Sequence, residues 1–302
     1  MPGQMKQHLN PTFSVVIPTR NRPALLASAI TSVVDQTFDD LEVVLIDDGS
    51  DPPVRSEAFS DVRILKVYRN ERAQGAAAAR NLGAAMATGD FIAFLDDDDL
   101  WVPKKLDVVR LCLEANPSID VVTHLSSWEI KPTISTPTCL GIIDPIRWAL
   151  TRQPPHLSGV VVRRSLHLGV EFDEAFDAAE DLDYLVRLFQ TAQTTASIPA
   201  VLAIHNRPDH EESVISLERR IEGRLMVRRK HEQLFKNPEV EAFFLARLAH
   251  QYRRAGHPVR AISVAMKSLW TRPTALGTKA FVAGALPRRF VASTSRRRRR
   301  RR

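Results

Sequence analysis

Four consecutive aspartates, Asp96 to Asp99, follow the apolar run Phe91–Leu95. An apolar run of this length predicts a buried strand, and like charges crowded at its end repel one another unless a cation offsets them. Mg²⁺ and Mn²⁺ prefer oxygen ligands and commonly bind one or two carboxylates together with the phosphates of a substrate. The run therefore predicts a site for a metal ion and a diphosphate. The alternative is a solvated acidic loop that only ends the strand.

Polar segments follow two other apolar runs. Pro18-Thr19-Arg20-Asn21 follows the run that begins at Phe13, and Asp47-Asp48-Gly49-Ser50 follows the run that begins at Leu41. In open parallel sheets, ligands bind beyond the carboxyl ends of the strands. We therefore expect both segments to share one site with the acidic run.

The elements that must position these residues alternate along the chain. Apolar runs and helical stretches follow one another at residues 13–17, 24–36, 41–46, 62–68, 76–87 and 91–95. Strands separated by helices require crossover connections, so the pattern predicts an α/β fold with a mainly parallel, Rossmann-like sheet flanked by helices.

The later part of the chain has a different pattern. A helix is expected at residues 104–115, and residues 116–155 are irregular and rich in Pro, Thr and Ser, which is typical of a substrate-binding region. An apolar run at 159–162 and a helix at 180–190 follow. Beyond about residue 215 the pattern is entirely helical and predicts a C-terminal helical appendage.

The charge of the chain is concentrated at its end. The 302 residues are 44% hydrophobic, enough for a full core, and carry a formal net charge of +7. Without the seven arginines Arg296–Arg302, the 42 basic residues fall to 35, which equals the number of acidic residues. No basic stripe with interleaved aromatic residues occurs in the first 200 residues, so no nucleic-acid partner is expected.

Cysteine content and hydropathy predict the compartment. Cys112 and Cys139 are the only cysteines, and their spacing indicates neither a disulfide framework nor a structural zinc site. The first residues do not resemble a signal peptide, and no run of 18 apolar residues predicts a membrane span. We therefore expect a cytoplasmic protein.

The end of the chain combines an apolar and a basic segment. Residues 275–286 are small and apolar, and Arg288, Arg289 and Arg296–Arg302 follow. This pairing predicts peripheral contact with an anionic membrane, on its cytoplasmic face. The alternative is a docked last helix that is followed by a disordered basic end.

Taken together, the motifs resemble those of glycosyltransferase family 2. They are FSVVIPTRNR at 13–22, QTF at 36–38, VVLIDDGSD at 43–51, ARNLG at 79–83, TGDFIAFLDDDDLW at 88–101 and Glu180-Asp181. The resemblance is dense from residue 13 to about 110, sparser to about 215 and very weak beyond. It implies a GT-A fold and inverting transfer from a nucleotide-diphosphate sugar, with a UDP-sugar as the first expectation.

On this resemblance the chain divides into four parts. An N-terminal extension, a GT-A glycosyltransferase domain, a helical appendage and a basic disordered tail are expected at residues 1–12, 13–215, 216–290 and 291–302. Within the GT-A domain, residues 13–110 form the nucleotide-binding half and residues 111–215 the acceptor-binding half.

The resemblance assigns the metal site to the acidic run. Asp98 is the first expected ligand of Mn²⁺ or Mg²⁺, with Asp96 as a second, and Asp96 or Asp97 contacts the ribose or orients a water on the metal. The register stays open, because Asp97 to Asp99 could form the working triplet instead. Asp99 is expected to cap a helix over residues 100–106.

The resemblance also assigns the donor-binding residues. Thr19 and Asp48 match positions that contact the nucleotide base, with Asp48 accepting the imide hydrogen of a uracil, while Pro18 holds the strand end. Arg20 and Arg80 are expected at the diphosphate, since guanidinium groups match phosphate oxygens. Arg22 is a third candidate. For each of the three arginines the alternative is a surface ion pair, and Arg22 is not named as a ligand.

The pair Glu180-Asp181 opens a predicted helix. In inverting members of the family, the Asp at the position of Asp181 removes the proton from the acceptor hydroxyl. The alternative role is an acid that interacts with the helix dipole. Glu180 and His205 are additional site candidates, although Ala203-Ile204 replaces the Tyr-Arg that usually precedes this histidine. A histidine that only caps or lies at the surface is the alternative for His205.

The resemblance implies transfer of one sugar to a glycan or lipid-linked acceptor in the synthesis of cell-surface polysaccharide, lipopolysaccharide or glycolipid. A sugar-phosphate nucleotidyltransferase is one alternative, although the loop at 18–21 contains no glycine to hold a triphosphate. A nucleotide-sugar-binding protein without catalytic activity is the other. The sequence does not specify the sugar, the acceptor or the linkage.

Overall fold

The computed structural model describes residues 12–59, 65–128, 139–151, 155–206 and 216–285. These residues form two compact units. The first contains the described residues within Met1–Ile146, Pro155–Ala175 and Asp183–Glu212, and the second those within Arg147–Pro154, Phe176–Leu182 and Ser213–Arg302. The expected domain boundaries stay a prediction, and the expected basic tail lies outside the described residues.

The first half of the sheet is parallel. Its strands are β1 (Phe13–Thr19), β2 (Leu41–Asp47), β3 (Leu65–Arg69) and β4 (Phe91–Phe94). β1 lies between β2 and β4, and β3 pairs with the outer edge of β2. The helices α1 (Pro23–Val34) and α2 (Ala76–Met86) belong to the crossover connections. The predicted alternation of strands and helices is therefore confirmed in this half.

The second half of the sheet is mixed. It contains β5 (Asp99–Trp101), β6 (Val121–Ser127), β7 (Leu140–Gly141), β8 (Val160–Arg163) and β9 (Thr195–His205). The strand order continues from β4 through β8, β6 and β9 to β5, and β7 also pairs with β9. Only the pair β6–β9 is parallel among the strand pairs described in this half.

The described residues within 116–155 are more regular than the sequence predicted. β6, β7 and the helix α4 (Pro145–Thr151) lie in this segment. The residues that begin β6, Val121, Val122 and Thr123, are buried between two partner strands, where β-branched side chains pack well. The high Pro, Thr and Ser content concealed this strand.

Three further helices complete the first part of the chain: α3 (Lys105–Ala115), α5 (Arg164–Val170) and α6 (Glu180–Thr191). Cys112 of α3 forms a disulfide with Cys139, with Cα atoms 5.5 Å apart. The expectation of no disulfide was wrong, because the fold brings together two cysteines that are 27 residues apart.

The core of the first unit lies on both faces of the parallel strands. One cluster joins Val15, Ile17, Val43, Leu45 and Ala93 to the buried face of α1, with Leu26 and Ile30. On the other face α2 approaches the sheet closely at Gly83, where an added Cβ would overlap Val16. These contacts fix the strand ends that carry the polar segments.

The second unit is helical. Its helices are α7 (Leu217–Lys230), α8 (Pro238–Arg254), α9 (Pro258–Thr271) and α10 (Ala275–Ala285). Side chains cap two of them: Ser216 accepts a hydrogen bond from the Arg219 N–H at 3.2 Å, and Asn237 accepts one from the Glu239 N–H at 2.9 Å. Over the described part of the chain, no helix is both long and apolar enough to cross a bilayer.

Candidate active site

The ends of β1 and β4 meet at Thr19 and Asp97. β1 and β4 are parallel neighbours, so the residues that follow them lie at the same edge of the sheet. The Thr19 hydroxyl donates a hydrogen bond of 2.7 Å to Asp97 Oδ2, and both residues are buried. Burial raises the pKa of Asp97, although Thr19 and Arg22 act in the opposite direction. Two segments that the sequence assigned to one site are thus in direct contact.

Arg22 connects two of the four aspartates. Its guanidinium donates to Asp97 Oδ1 at 2.9 Å and lies 3.2 Å from Asp98 Oδ2. From the sequence, Arg22 was a candidate for a diphosphate contact or a surface ion pair and was not named as a ligand. The structure shows its side chain half-buried in an ion pair. The positive charge of Arg22 offsets part of the repulsion among the aspartates. From the sequence, a metal ion was expected to do this.

Arg80 and Asp96 form an ion pair. Arg80 is buried on α2, its guanidinium donates to Asp96 Oδ1 at 2.7 Å, and it lies over the ring of Phe172. The predicted diphosphate contact and one predicted metal ligand therefore bind each other in this structure. A charge-assisted pair of this kind holds both side chains in fixed orientations.

Asp48 organises the loop that leads into α2. Its buried carboxylate accepts hydrogen bonds from Asn70 Nδ2 at 2.8 Å, Gln74 N at 2.8 Å and Gly75 N at 2.9 Å. The expected contact with a nucleotide base stays a prediction. The contacts that the structure does show hold Asp48 at the carboxyl end of β2.

The other predicted residues near these strand ends have simpler surroundings. Pro18 lies in β1 opposite Ile46 and is half-buried, and Arg20 is exposed. Asp47 accepts hydrogen bonds from the backbone N–H groups of Ser50 at 2.8 Å and Val54 at 3.0 Å. Asp47 thus supports the turn that follows β2.

Asp99 does not cap a helix. It begins β5, which pairs with β9 so that Asp99 lies opposite His205, and α3 starts only at Lys105. The side chain of Asp99 is buried, and it accepts a hydrogen bond of 2.5 Å from the Ser158 hydroxyl. The expected cap was wrong because residues 99–101 pair with β9 at the edge of the sheet instead of forming a helical turn.

Asp99 is the centre of a cluster of possible metal ligands. Nδ1 of His205 lies 2.9 Å from Oδ1 of Asp99, and Nδ1 of His156 lies 3.0 Å from Oδ2. One ligand atom from each of the three residues falls within 4.8 Å of the others. Burial opposes ionisation, but the hydrogen bonds from His156, His205 and Ser158 lower the pKa of Asp99 well below its usual value. An ionised carboxylate beside two imidazoles is a donor set that fits a divalent cation.

His156 was missed by the sequence analysis. It lies in an irregular segment before β8, without a motif that would mark it. Its ring contacts the ring of His205 with centroids 4.6 Å apart, and Trp128 contacts His205 from another side at 4.8 Å. The pairing of β9 with β5 places His205 in this group of rings.

A buried polar group lies next to the Asp99 cluster. Lys105 donates a hydrogen bond of 2.8 Å to the Ser158 carbonyl, and its ammonium lies 3.2 Å from the ring centre of Trp101. Burial lowers the pKa of Lys105 well below its usual value, and the charge of Asp99 opposes that shift. Nothing in the sequence distinguishes Lys105 from a surface lysine in the first turn of a helix.

Asp181 belongs to the second unit. It lies in the first turn of α6, where its Oδ1 accepts a hydrogen bond of 2.7 Å from the Leu182 N–H. Ala179, two residues earlier, has a φ of 63°, in the left-handed region that a residue with a Cβ rarely adopts. The structure thus places Glu180 and Asp181 directly after a strained turn, at the start of a helix.

Helix α7 packs tightly against the segment before Asp181. Gly223 faces the carbonyl of Ala178 so closely that an added Cβ would overlap it. The next residue, Arg224, interacts electrostatically with Asp181, which opposes the lowering of the Arg224 pKa by burial. The sequence does not reveal the contact between α7 and the segment before Asp181, because the two are about 40 residues apart.

A protein-family model matches the N-terminal part of this chain. Residues 14–138 match the model described as glycosyl transferase family 2. These residues include β1 to β6, the acidic run and the Asp48 loop.

Two curated relatives are similar to the chain. An uncharacterized glycosyltransferase of Haemophilus influenzae is 30% identical over 188 residues, which are 61% of this chain and 64% of that protein. WfgD of Escherichia coli, a UDP-Glc:alpha-D-GlcNAc-diphosphoundecaprenol beta-1,3-glucosyltransferase, is 41% identical over 108 residues, which are 35% of this chain and 42% of that protein. The matched part of the chain thus spans less than two thirds of either relative.

A solved structure supports the fold. TarS residues 1–349 of S. aureus, crystallised in complex with UDP-GlcNAc, superposes with a TM-score of 0.64 at 18% identity. The superposition covers 90% of this chain and 89% of that one. The likeness confirms the predicted α/β architecture.

Proposed function

We propose that this chain, whose residues 14–138 match the model of glycosyltransferase family 2, transfers a sugar from a UDP-sugar to a lipid-linked glycan acceptor with inversion at the anomeric carbon. The donor nucleotide is suggested by WfgD, whose name includes UDP-Glc, and by the TarS complex with UDP-GlcNAc. The acceptor class is suggested by WfgD, whose acceptor is carried on diphosphoundecaprenol. The product would enter the synthesis of a cell-surface glycan.

The meeting of Thr19 with Asp97 is the observation that carries this proposal. Thr19 ends β1 and Asp97 follows β4. The two are 78 residues apart in sequence but joined by a hydrogen bond of 2.7 Å. Asp48 follows the neighbouring strand β2, which pairs with β1. A UDP-sugar would bind at this edge, with its base near Thr19 and Asp48 and its ribose near Asp97.

Arginines of the same edge suit the diphosphate. Arg80 and Arg22 already bind carboxylates of the acidic run, so their guanidinium groups are held in place before a donor arrives. Arg20 lies two residues before Arg22 in sequence. Its side chain is exposed and can reorient at little cost. Groups fixed in advance contribute more to binding, because less conformational entropy is lost.

The cation site combines predicted and newly found residues. We assign Asp98 as the first ligand, with Asp96 as a second, and add Asp99, His205 and His156 as a neighbouring donor set. Imidazole nitrogens bind Mn²⁺ more readily than Mg²⁺, so Mn²⁺ is the favoured ion. When bound, the ion stabilises the negative charge that develops on the departing diphosphate.

Asp181 is assigned as the base. Its carboxylate accepts the proton of the acceptor hydroxyl while that oxygen forms the new bond to the anomeric carbon. In the same step the bond from the anomeric carbon to the diphosphate oxygen breaks, and its electron pair leaves with UDP. One displacement of this kind inverts the anomeric centre.

Thermal-shift measurements test the donor site. UDP-sugars that bind the native protein raise its Tm, and the increase should be larger with Mn²⁺ than without it. A screen of UDP-, GDP- and CDP-sugars, each with and without Mn²⁺, identifies the donor. If no nucleotide sugar raises the Tm under either condition, the proposed activity is wrong.

A further inference from the structure

Helix α9 has small residues on the side that packs against its neighbours. Ala261, Ala265 and Ser268 are buried, and the Ser268 hydroxyl donates a hydrogen bond of 2.7 Å to the Ala242 carbonyl of α8. Val264 packs at the edge of a small core that also contains Ala246 of α8. Small side chains let the two helices approach closely.

The large apolar residues of α9 lie on the opposite side. Val259 is 79% exposed, Met266 is 44% exposed and Trp270 is 87% exposed. Together with Ile262 they line an open groove along one face of the helix, at intervals of three or four residues. We call these four residues the α9 apolar face. A surface helix usually has the reverse arrangement, with its large apolar residues in the core.

Basic residues border the α9 apolar face. Arg260 and Lys267 are exposed and seven residues apart, so they lie on the same edge of the helix. Residues 216–285 contain 14 Lys and Arg but five Asp and Glu, a net charge of +9. The residues before 216 carry the compensating acidic surplus, so the neutrality of the body conceals a strongly basic helical region.

We propose that the α9 apolar face lies in the interface of an anionic lipid bilayer. α9 has 14 residues, about 21 Å of helix, which is too short to span the hydrocarbon core but suits a helix in the interface plane. Tryptophan is favoured at this depth, because its ring is apolar and its N–H finds partners among the headgroups. Arg260 and Lys267 would extend to the lipid phosphates from the edge of the face.

A partner helix or a second copy of the chain would also cover apolar residues. The charge distribution favours a bilayer, because an extended basic region matches an extended anionic surface. This proposal concerns binding alone and does not depend on the transferase activity. It also differs from the membrane contact expected of the basic tail, which lies outside the described residues.

Sedimentation with vesicles tests the proposal in the full-length protein. Vesicles of phosphatidylcholine with phosphatidylglycerol should bind the protein more tightly than vesicles of phosphatidylcholine alone. A variant with Met266→Gln and Trp270→Gln should bind the anionic vesicles about tenfold more weakly, because apolar area is no longer buried. Ile143→Gln is the matched control, since Ile143 is a fully exposed apolar residue of the first unit.

The salt dependence of vesicle binding distinguishes the contribution of the α9 apolar face from that of the basic tail. Raised salt weakens contacts made by arginines, whereas the apolar contribution persists. The difference between the wild type and the Met266→Gln, Trp270→Gln variant should therefore remain at high salt. At low salt, a variant with Arg260→Gln and Lys267→Gln should bind the anionic vesicles about fivefold more weakly for each charge removed. At high salt its affinity for the vesicles should differ little from that of the wild type.

Brominated lipids give a direct readout of insertion. They should quench part of the tryptophan fluorescence of the wild type, and Trp270→Phe should lose that part while binding vesicles nearly as well. The proposal is overturned if the Met266→Gln, Trp270→Gln variant sediments like the wild type at every salt concentration. It is also overturned if light scattering shows an oligomer of the wild type that this variant converts to a monomer without any change in vesicle binding.

Discussion

Nδ1 of His205 lies 2.9 Å from Oδ1 of Asp99, across a separation of 106 residues. The two residues face each other because β5 and β9 pair in an antiparallel register that aligns them. This pairing joins the last aspartate of the acidic run to the histidine that ends β9. It makes Asp99 a candidate for the cation site alongside Asp98.

Removal of a cation ligand should abolish the effect of Mn²⁺ on donor binding. Asp98→Asn should lose the Mn²⁺-dependent part of the Tm increase caused by a UDP-sugar, because a neutral amide is a poor ligand for a hard cation. His205→Gln should weaken Mn²⁺ binding roughly 10- to 100-fold if its nitrogen ligates the ion or orients a ligand. Thermal-shift measurements check the first effect, and isothermal titration with Mn²⁺ in the presence of UDP checks the second.

The register of the acidic run can be read from matched variants. Asp96→Asn and Asp99→Asn make the same chemical change at the two ends of the run. Loss of Mn²⁺ binding in Asp99→Asn with retention in Asp96→Asn would place the working triplet at Asp97 to Asp99. The reverse result would support the triplet Asp96 to Asp98 and leave Asp99 with a structural role.

Asp181→Asn should separate donor binding from transfer. The amide retains the size and the hydrogen-bond acceptor of Asp181 but cannot take a proton at neutral pH, so kcat should fall about 10²- to 10⁴-fold. The Tm increase caused by the donor should stay close to that of the wild type. Asp177→Asn makes the same change at an exposed residue four positions earlier and should leave kcat unchanged. Normal transfer by Asp181→Asn would remove Asp181 from the mechanism.

Gly223→Ala should destabilise the protein and slow transfer together. The new methyl group would overlap the carbonyl of Ala178, a backbone atom that cannot move alone, at an expected cost of about 1–3 kcal/mol in the free energy of unfolding. Because Ala178 lies three residues before Asp181, the shift should also lower kcat. Gly169→Ala is the control, since an added Cβ there meets nothing within 4 Å. Urea unfolding and steady-state kinetics on both variants check this prediction.

His167 should make stability depend on pH. Burial, with a smaller contribution from the charge of Arg187, lowers the pKa of His167 to about 4. The unfolded chain binds the proton near pH 6.5 and the folded protein does not, so the stabilisation is complete above about pH 6.5 and is lost as the pH falls toward 4. From pH 7 to pH 5 the expected loss is about 2 kcal/mol.

A variant isolates this contribution. His167 contacts the Tyr184 hydroxyl at 2.8 Å in a buried aromatic group with Phe94 and Phe172, so His167→Gln should be less stable at pH 7. Its free energy of unfolding should change less than that of the wild type between pH 7 and pH 5. His257→Gln removes an exposed histidine and should follow the wild type. Parallel pH profiles for His167→Gln and the wild type would contradict the assignment.

The sequence predicted the donor half of the fold well, for a physical reason. Strands β1, β2 and β4 are buried on both faces, so they read as continuous apolar runs, and the helices between the strands read as separate amphipathic stretches. The polar segments after these runs were assigned to one edge because parallel strands end on the same side. That rule alone was enough to predict that Thr19, Asp97 and Asp48 lie at the same edge of the sheet.

The same reasoning failed where contacts with distant segments, and not the neighbouring residues in sequence, determined the structure. Asp99 was expected to cap a helix, because the sequence shows the helical residues that follow it but not the distant strand β9 that pairs with it. Cys112 and Cys139 appeared unrelated for the same reason. β6 was missed because its partners, β8 and β9, come much later in the chain.

The sequence by itself indicated the resemblance to the family, and it determined the alternation of strands and helices and the chemical types at the candidate site. These depend on local order: apolar period, motif spacing and the residues that follow each strand. Only the tertiary structure decided which charges neutralise each other, with Arg22 at Asp97 and Arg80 at Asp96, and which histidines reach Asp99. Such pairings depend on strand register and helix packing between distant segments. A register shift of one residue between β5 and β9 would turn His205 away from Asp99.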